Sequence, residues 1–181
     1  MLLHNLFSPE ILSEVVNRFS NTSLKEYEAL YSRLLGMDTK GIQLVLYVDG
    51  AADLKSEQAG IGGIFYLKGR EKEGELYHFT RNIGKATNNE AEYEALIEGL
   101  KVGKELKGMQ INVFSDSELL VKQINLEYKV KNPRIRKLYK EACRLLGSYD
   151  SWSVEHIGRE KNKKADILSK QALNEEQEIQ E

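Results

Sequence analysis

A run of large apolar residues, Leu44-Val45-Leu46-Tyr47-Val48, is followed directly by Asp49. The run has the length of a strand and is apolar on both faces, which is typical of a central strand covered by helices on both sides. It therefore favours an α/β fold with this strand in the middle of the sheet. A carboxylate at such a position costs free energy unless a cation meets it. The alternative is that Asp49 is a turn residue in Asp49-Gly50.

The strand and helix patterns of residues 41–173 follow one another in the order βββαβααβα. Apolar segments with strand character lie at about 43–49, 59–68, 75–83, 110–115 and 152–157. Helical spacing predicts helices at about 88–107, 117–125 and 133–146, and a final helix from about 162. This order predicts an antiparallel meander of three strands, followed by parallel strands that are reached through helical crossovers.

Two segments flank this predicted domain. Residues 1–40 contain two stretches with helical apolar spacing and are predicted to form an N-terminal helical hairpin. The hairpin is expected to pack on the domain or to serve as a homodimer or protein-partner surface. Residues 174–181 form an acidic tail with four glutamates.

The composition excludes several classes of protein. Hydrophobic residues make up 41% of the chain and charged residues 30%, with only two prolines, which excludes a disordered or collagen-like chain. No apolar run approaches the roughly 18 residues that a membrane span needs. The single cysteine, Cys143, cannot form an internal disulfide and fits a reducing compartment. We therefore expect a soluble, cytoplasmic protein that does not bind membranes.

One glutamate of the long predicted helix lies on the wrong face for a solvated residue. Projected at 100° per residue, Glu92 falls in the middle of one face of the helix, which also holds Asn88, Ala95, Leu96, Gly99, Gly103 and Leu106. Because Ala95, Gly99 and Gly103 are small, the helix can press closely on the sheet and hold Glu92 near it. A buried glutamate with no function is improbable.

Two further acids have ordinary alternatives. Asp116 follows a predicted strand and precedes a helix, where it serves either as a helix N-cap or as a ligand residue at the carboxyl end of a strand. Asp166 lies among lysines in the last helix and, alone, is an unremarkable surface acid. Together with Asp49 and Glu92 they describe a site of hard oxygen ligands that suits Mg²⁺ or Mn²⁺. Two such ions about 4 Å apart serve displacement at a phosphodiester.

A basic run between residues 129 and 140 allows two interpretations. It contains no acid and six bases: Lys129, Lys131, Arg134, Arg136, Lys137 and Lys140. Such a run is either a solvated helix face or a patch that faces phosphates and adds salt-dependent affinity. The run alone does not decide between the two.

Four short motifs, in this order, resemble the type 1 ribonuclease H family over about residues 41–173. They are Tyr47-Val48-Asp49-Gly50-Ala51, Thr87-Asn88-Asn89-Glu90-Ala91-Glu92, Ser115-Asp116-Ser117 and Asn162-Lys163-Lys164-Ala165-Asp166. Each motif is weak alone, but the ordered set is specific. The resemblance implies a ribonuclease H-like fold, a five-stranded mixed sheet flanked by helices, which agrees with the element order above.

The resemblance also implies an activity. In that family, two Mg²⁺ ions held by four acids cleave the RNA strand of RNA/DNA hybrids and leave 5′-phosphate and 3′-hydroxyl ends. The matching catalytic and metal-binding acids are Asp49, Glu92, Asp116 and Asp166. The implied substrate-binding residues are Gly50, Thr87, Asn88 and Asn89, to which the resemblance adds Lys129, Lys131 and Arg134 from the basic run. Thr87 also suits a helix cap, which would leave the asparagines for the 2′-hydroxyls of RNA.

Two departures from the family pattern affect these expectations. Many members place a mobile histidine before the fourth aspartate, whereas the closest position here holds Arg159. Arginine cannot shuttle protons near neutral pH, although it can grip a phosphate. We therefore assign Arg159 to the catalytic set and expect altered turnover. The link over residues 126–132 is short, so the basic handle helix of some bacterial members is missing.

Two alternatives remain beside the hybrid-cleaving endonuclease. One is a non-catalytic module that binds RNA/DNA hybrids, which loss of an acid would signal, but all four acids are present. The other is a related nuclease that acts on double-stranded RNA, but the segment Thr87-Asn88-Asn89 favours the ribonuclease H branch.

Overall fold

The computed structural model describes residues 41–53 and 55–174 of the 181-residue chain. The predicted hairpin of residues 1–40, with its dimer or partner surface, lies outside the described residues. The predicted acidic tail starts at residue 174, which ends the last helix, and residues 175–181 also lie outside.

Five strands form one mixed sheet. They are β1 (Ile42–Asp53), β2 (Gln58–Leu67), β3 (Tyr77–Gly84), β4 (Gly108–Ser115) and β5 (Ser151–His156). Their order across the sheet is β3-β2-β1-β4-β5, so β1 is central, as its apolar run predicts. The pairs β1–β2 and β2–β3 are antiparallel, and β4–β5 is parallel. The predicted element order and mixed sheet are confirmed.

Four α-helices connect and follow the strands in the described residues. They are α1 (Asn88–Glu105), α2 (Glu118–Ile124), α3 (Pro133–Leu146) and α4 (Lys163–Asn174). Side chains before three of them satisfy free backbone N–H groups: Thr87 caps α1, Ser117 caps α2 and Asn132 caps α3. Pro133, which has no N–H to satisfy, starts α3. The N-cap alternative for Asp116 is wrong, because Ser117 holds that position. Within the described residues, no helix has both the length and the apolar character needed to span a membrane.

Strand β1 is longer than its apolar run predicts. It continues through Asp49 to Asp53, with Asp49 opposite Gly62 and Gly50 opposite Ile61 of β2. The turn alternative for Asp49-Gly50 is therefore wrong. Small residues make up the continuation, and they pair with the glycine-rich start of β2, so the extension adds backbone hydrogen bonds without bulky side chains.

Helices approach this part of the sheet closely from both faces. A Cβ atom on Gly50 would lie 2.2 Å from the carbonyl carbon of Ala91 in α1. A Cβ atom on Gly62 would lie 2.5 Å from the backbone nitrogen of Ser169 in α4. Glycine at both positions lets α1 and α4 pack with backbone against backbone, one on each face. The predicted inward face of α1, including Glu92, is buried, except for Asn88 at the start of the helix, which is exposed.

Candidate functional site

Three of the four predicted acids meet at the middle of the sheet. One carboxylate oxygen from each of Asp49, Glu92 and Asp116 lies within 4.8 Å of the other two. Asp49 lies on β1, Glu92 lies on α1, and Asp116 is the residue that directly follows β4. Asp49 and Glu92 are only 5% and 6% exposed, respectively. We call these residues the three-acid cluster.

Asp49 is held from the far side of the sheet by α4. The buried hydroxyl of Ser169 donates a hydrogen bond to Oδ2 of Asp49 and lies 2.9 Å from the carbonyl oxygen of Asp166. Burial raises the pKa of Asp49 to about 6, the hydrogen bond from Ser169 opposes this, and the charges of Asp116 and Asp166 add to it. The Asp49 carboxylate is therefore partly protonated near neutral pH unless a cation joins it.

Glu92 is the most strongly perturbed member of the cluster. Burial, followed by the negative charges of Asp49 and Asp116, raises its pKa to about 9, although the backbone N–H of Gly50 donates to the carboxylate. The Oε2 atom of Glu92 is buried and has no hydrogen-bond partner among the described residues. Buried carboxylate oxygens normally accept at least one hydrogen bond. The Oε2 atom of Glu92 is therefore a candidate ligand atom for a cation.

Asp116 is fixed by the residue that precedes α4. The side-chain nitrogen of Asn162 donates to Oδ1 of Asp116 at 2.8 Å and to the carbonyl oxygen of Val48 at 2.9 Å. Asn162 is 1% exposed, so the two hydrogen bonds fix its orientation. The backbone carbonyl oxygen of Asn162 accepts a hydrogen bond from the backbone N–H of Asp166, in the first turn of α4. Asn162 therefore links Asp116 to the start of this helix.

The fourth predicted acid, Asp166, does not join the three-acid cluster. Its Oδ1 atom accepts a hydrogen bond from Arg159 at 3.0 Å, and its Oδ2 atom accepts one from Lys170 at 2.6 Å. Burial raises the pKa of Asp166, but the two cations outweigh burial and hold the pKa below its usual value. Arg159, which is assigned to the catalytic set, therefore contacts an acid of the predicted metal site.

The three-acid cluster fits a divalent cation. Its ligand atoms are all carboxylate oxygens, they lie within reach of one ion, and the Oε2 atom of Glu92 is buried without a hydrogen-bond partner among the described residues. Mg²⁺ and Mn²⁺ prefer such hard oxygen ligands. Among the described residues no other group of three such side chains gathers in this way.

The predicted substrate-binding residues of α1 lie at its exposed N-terminus. Asn88 and Asn89 are exposed, and Oδ1 of Asn88 accepts the backbone N–H of Ala52 at 3.2 Å. Thr87 forms a capping box with Glu90, in which both its N–H and its hydroxyl donate to the Glu90 carboxylate. Thr87 therefore has the capping role that the sequence allows, and its contact with substrate stays a prediction.

Gly50 is buried, so its predicted contact with substrate is not through an open surface. Its position against Ala91 holds the start of α1 on β1, and this contact brings Glu92 to Asp49. The substrate role of Gly50 stays a prediction, and packing alone accounts for a glycine here.

The basic run is exposed in the structure. Lys129 and Lys131 lie in the link before α3, and Arg134 lies in its first turn. Arg134 also reaches Oε1 of Glu90, at 3.6 Å, so it lies beside the N-terminus of α1. The exposure of these cations is compatible with both interpretations of the run, and the phosphate contact stays a prediction.

Comparison with known proteins adds to this geometry. The model of the family described as Reverse transcriptase-like matches residues 47–172. A ribonuclease H from Sulfurovum sp. is 35% identical over 137 residues, which cover 71% of this chain and 88% of that protein. The chain belongs to the ribonuclease H family.

Solved ribonucleases H share the fold described above. The crystal structure of ribonuclease H1 from Halobacterium salinarum superposes with a TM-score of 0.70 at 32% identity, covering 74% of this chain and 98% of that chain. The ribonuclease H1 LC11, solved in complex with an RNA/DNA hybrid, has a TM-score of 0.65 at 35% identity, with 73% and 97% covered.

The match to full-length relatives is partial. It covers 66% of the Halobacterium salinarum ribonuclease HI, at 33% identity, and 75% of this chain. In the bifunctional protein Rv2228c of Mycobacterium tuberculosis, the matched residues, at 32% identity, make up 36% of the protein and 74% of this chain. The chain spans about two-thirds or less of these relatives.

Sequence reasoning missed three residues that hold the acids of this candidate site. Ser169, Asn162 and Lys170 each donate a hydrogen bond to a predicted metal-binding carboxylate: Asp49, Asp116 and Asp166, respectively. A helical projection could have found Lys170, which follows Asp166 by four residues on α4, but not Ser169, whose partner Asp49 lies on β1. No sequence pattern indicates that the side chain of Asn162 reaches Asp116.

Proposed function

We propose that this protein is a metal-dependent endonuclease that hydrolyses the RNA strand of RNA/DNA hybrids, leaving 5′-phosphate and 3′-hydroxyl ends. The three-acid cluster carries the proposal. Its two buried carboxylates, its raised pKa values and its orphaned Glu92 oxygen suit a centre completed by divalent metal. The single Cys143 suits a reducing cytoplasm as the place of action.

Relatives of this chain support the choice of reaction and substrate. Those from Halobacterium salinarum and Sulfurovum sp. are named ribonuclease HI and ribonuclease H. The LC11 ribonuclease H1 was solved in complex with an RNA/DNA hybrid. The full set of predicted acids in this chain favours an enzyme over a non-catalytic hybrid-binding module.

We assign the metal ligands as Asp49, Glu92, Asp116 and Asp166, which would hold two Mg²⁺ or Mn²⁺ ions. When bound there, the ions would supply the activation of a water for attack on phosphorus and the charge that stabilises the departing oxygen. The residues of the chain supply the pocket. Burial keeps bulk water from Asp49 and Glu92, while Ser169 and Asn162 orient the carboxylates of Asp49 and Asp116.

Hybrid recognition is assigned to the exposed N-terminus of α1 and to the basic run. The side-chain oxygen of Asn88 accepts a hydrogen bond from the backbone N–H of Ala52, which leaves the side-chain NH₂ group to bind a 2′-hydroxyl. Asn89 is exposed beside it. Lys129, Lys131 and Arg134 are assigned to backbone phosphates. Gly50 and Thr87 are assigned to hold the backbone in position for the substrate at the same end of α1.

Arg159 is assigned to turnover. Its side chain is 73% exposed and its guanidinium bonds Asp166, so it lies between solvent and that acid, where it can bind a phosphate. An Arg159→Ala variant is expected to slow turnover without removing metal binding. An unchanged steady-state rate would remove Arg159 from the catalytic set.

The deciding experiment is cleavage of end-labelled RNA/DNA hybrid, double-stranded RNA and double-stranded DNA, each with Mg²⁺, Mn²⁺ or chelator. We expect internal, metal-dependent cuts confined to the RNA of the hybrid. Asp49→Asn is the matched control, because it keeps the side-chain volume and should abolish cleavage while hybrid binding remains.

Other results would replace the proposal. Binding of the hybrid without cleavage in either metal would favour the non-catalytic module. Preferential cleavage of double-stranded RNA would favour the related nuclease. Full activity of Asp49→Asn would show that the three-acid cluster is not the site.

A further inference from the structure

Asp166 differs from the other predicted metal ligands in being bound by two cations. Arg159 bonds one carboxylate oxygen at 3.0 Å and Lys170 bonds the other at 2.6 Å. The Asp166 side chain is 17% exposed, whereas those of Arg159 and Lys170 are 73% and 52% exposed, respectively. Each oxygen of this half-buried acid is therefore covered by a cation on its solvent side.

The three-acid cluster has no such cations. Its side-chain donors are neutral, since Ser169 bonds Asp49 and Asn162 bonds Asp116. None of its three acids forms an ion pair with a described residue, and Glu92 Oε2 has no partner there. An entering divalent ion therefore meets carboxyl groups without a paired cation in the cluster, but a carboxylate with two paired cations at Asp166.

The helix itself places Lys170 next to Asp166. The two residues are four positions apart on α4, the spacing at which an acid and a following lysine are neighbours. Arg159 comes from a separate short turn, Arg159–Lys161, that precedes the helix. Lys170 has no other ionic partner among the described residues.

We propose that Lys170 is a positioning residue that holds Asp166 out of the metal centre and so sets the divalent-metal concentration that the protein requires. The inference rests on the proposed function, in which Asp166 is a metal ligand. A divalent ion at Asp166 must share the carboxylate with two cations or displace one of them, and Lys170 makes the shorter contact. Binding of metal at Asp166 is thus a competition between Lys170 and the metal ion.

The test is a titration of the full-length, substrate-free protein with Mn²⁺, in which electron paramagnetic resonance measures the free ion. Lys170→Gln should bind Mn²⁺ about three- to five-fold more tightly than the wild type, the size expected for removal of an exposed ion pair. Lys170→Arg should restore the wild-type affinity, because it restores the charge. The gain of Lys170→Gln should shrink as salt is raised, because salt screens the pair that competes with the metal.

Two controls separate this role from a general change of charge. Lys163→Gln removes the same charge from the first residue of α4, where Lys163 is exposed and forms no ion pair with a described residue. This variant should keep the wild-type affinity. In an Asp166→Asn background, Lys170→Gln should give no gain, because the carboxylate that Lys170 competes for is gone. Circular dichroism and thermal melting confirm that each variant is folded.

The inference fails if Lys170→Gln binds Mn²⁺ no more tightly than the wild type, including the case in which neither binds. It also fails if Lys163→Gln gives the same gain, or if the gain persists with Asp166→Asn. These results are independent of cleavage. A protein that shows the Lys170 effect but cuts no hybrid contradicts the proposed function and leaves the Lys170 inference standing.

Discussion

Gly50 and Ala91 lie in backbone contact, so that a Cβ atom on Gly50 would be 2.2 Å from the carbonyl carbon of Ala91. No side chain fits this space, because real Cβ atoms do not approach backbone atoms so closely. The contact is the point at which α1 meets β1, and Glu92 is the residue that follows Ala91. The distance between Glu92 and Asp49 is therefore set by the absence of a side chain at Gly50.

Substitution of Gly50 by alanine tests this contact. We expect Gly50→Ala to push α1 from β1, lowering the free energy of unfolding by about 2–4 kcal/mol and Mn²⁺ affinity by at least about ten-fold. Denaturant unfolding and Mn²⁺ titration measure the two effects. Gly147→Ala is the matched control, because its nearest neighbour would be 3.4 Å away, and it should change neither quantity. Normal metal affinity in a folded Gly50→Ala protein would contradict the argument.

The pKa of Glu92 predicts how stability depends on pH without metal. Its pKa is about 9 in the folded protein and near 4.5 when unfolded, so the folded state holds one more proton between these values. The metal-free protein should therefore lose stability as pH rises from about 4.5 to 9. Glu92→Gln removes this loss and should be roughly 2–4 kcal/mol more stable than wild type at pH 8.

Denaturant unfolding in chelator at pH 5 and pH 8 measures the Glu92 effect. Glu105→Gln, an exposed change on the same helix, should follow the wild type at both values. Mg²⁺ at pH 8 should stabilise the wild type much more than Glu92→Gln. Parallel pH curves for wild type and Glu92→Gln would show that Glu92 is ionised in the folded, metal-free protein.

The Ser169 hydroxyl is expected to act on metal binding as well as on stability. Ser169→Ala removes the donor that opposes the raised pKa of Asp49, and we expect about ten-fold weaker Mn²⁺ binding. Thr80→Val is the matched control. It removes the 2.7 Å hydrogen bond from Thr80 to the Leu168 carbonyl, which also joins α4 to the sheet but touches no acid. Both variants should lose about 1 kcal/mol of stability, and equal Mn²⁺ affinities would refute the special role of Ser169.

The basic run is tested by the salt dependence of hybrid binding. In an Asp49→Asn background, which prevents cleavage, Lys129→Gln with Lys131→Gln should weaken binding and reduce the slope of log K against log salt by about two. Lys101→Gln with Lys107→Gln, changes at two exposed lysines outside the run, controls for total charge. An unchanged slope would favour the interpretation that the basic run is a solvated helix face.

Much of this fold could be predicted from the sequence, because its elements follow simple periodicity. The apolar run before Asp49 placed β1 at the centre, and the helical projection placed Glu92 on the buried face of α1. The continuation of β1 to Asp53 could not be predicted, since Gly50 and its neighbours have weak strand preferences and pair only because β2 lies beside them. Tertiary contact outweighed local propensity there.

The acids of the candidate site could be predicted, but the partners of Asp49 and Asp116 could not. Asp49 and Glu92 stand out because carboxylates are rare in buried elements, whereas Asp116 could be predicted only from the set of acids and the ordered motifs. The structure brings the three together. Ser169 and Asn162 give no such signal, since serine and asparagine are ordinary in and before a helix. Their roles depend on how α4 lies across the sheet, which is information that only tertiary structure contains.

Helix α4 and the residue before it also set when the site can form. During synthesis a ribosome releases the strands first and α4 last, and domains acquire structure as the nascent chain emerges. Until Asn162 and Ser169 arrive, Asp116 and Asp49 lack the donors that orient them. A chain still being translated thus carries acids without an assembled centre, and the proposed cleavage would be confined to chains completed through α4.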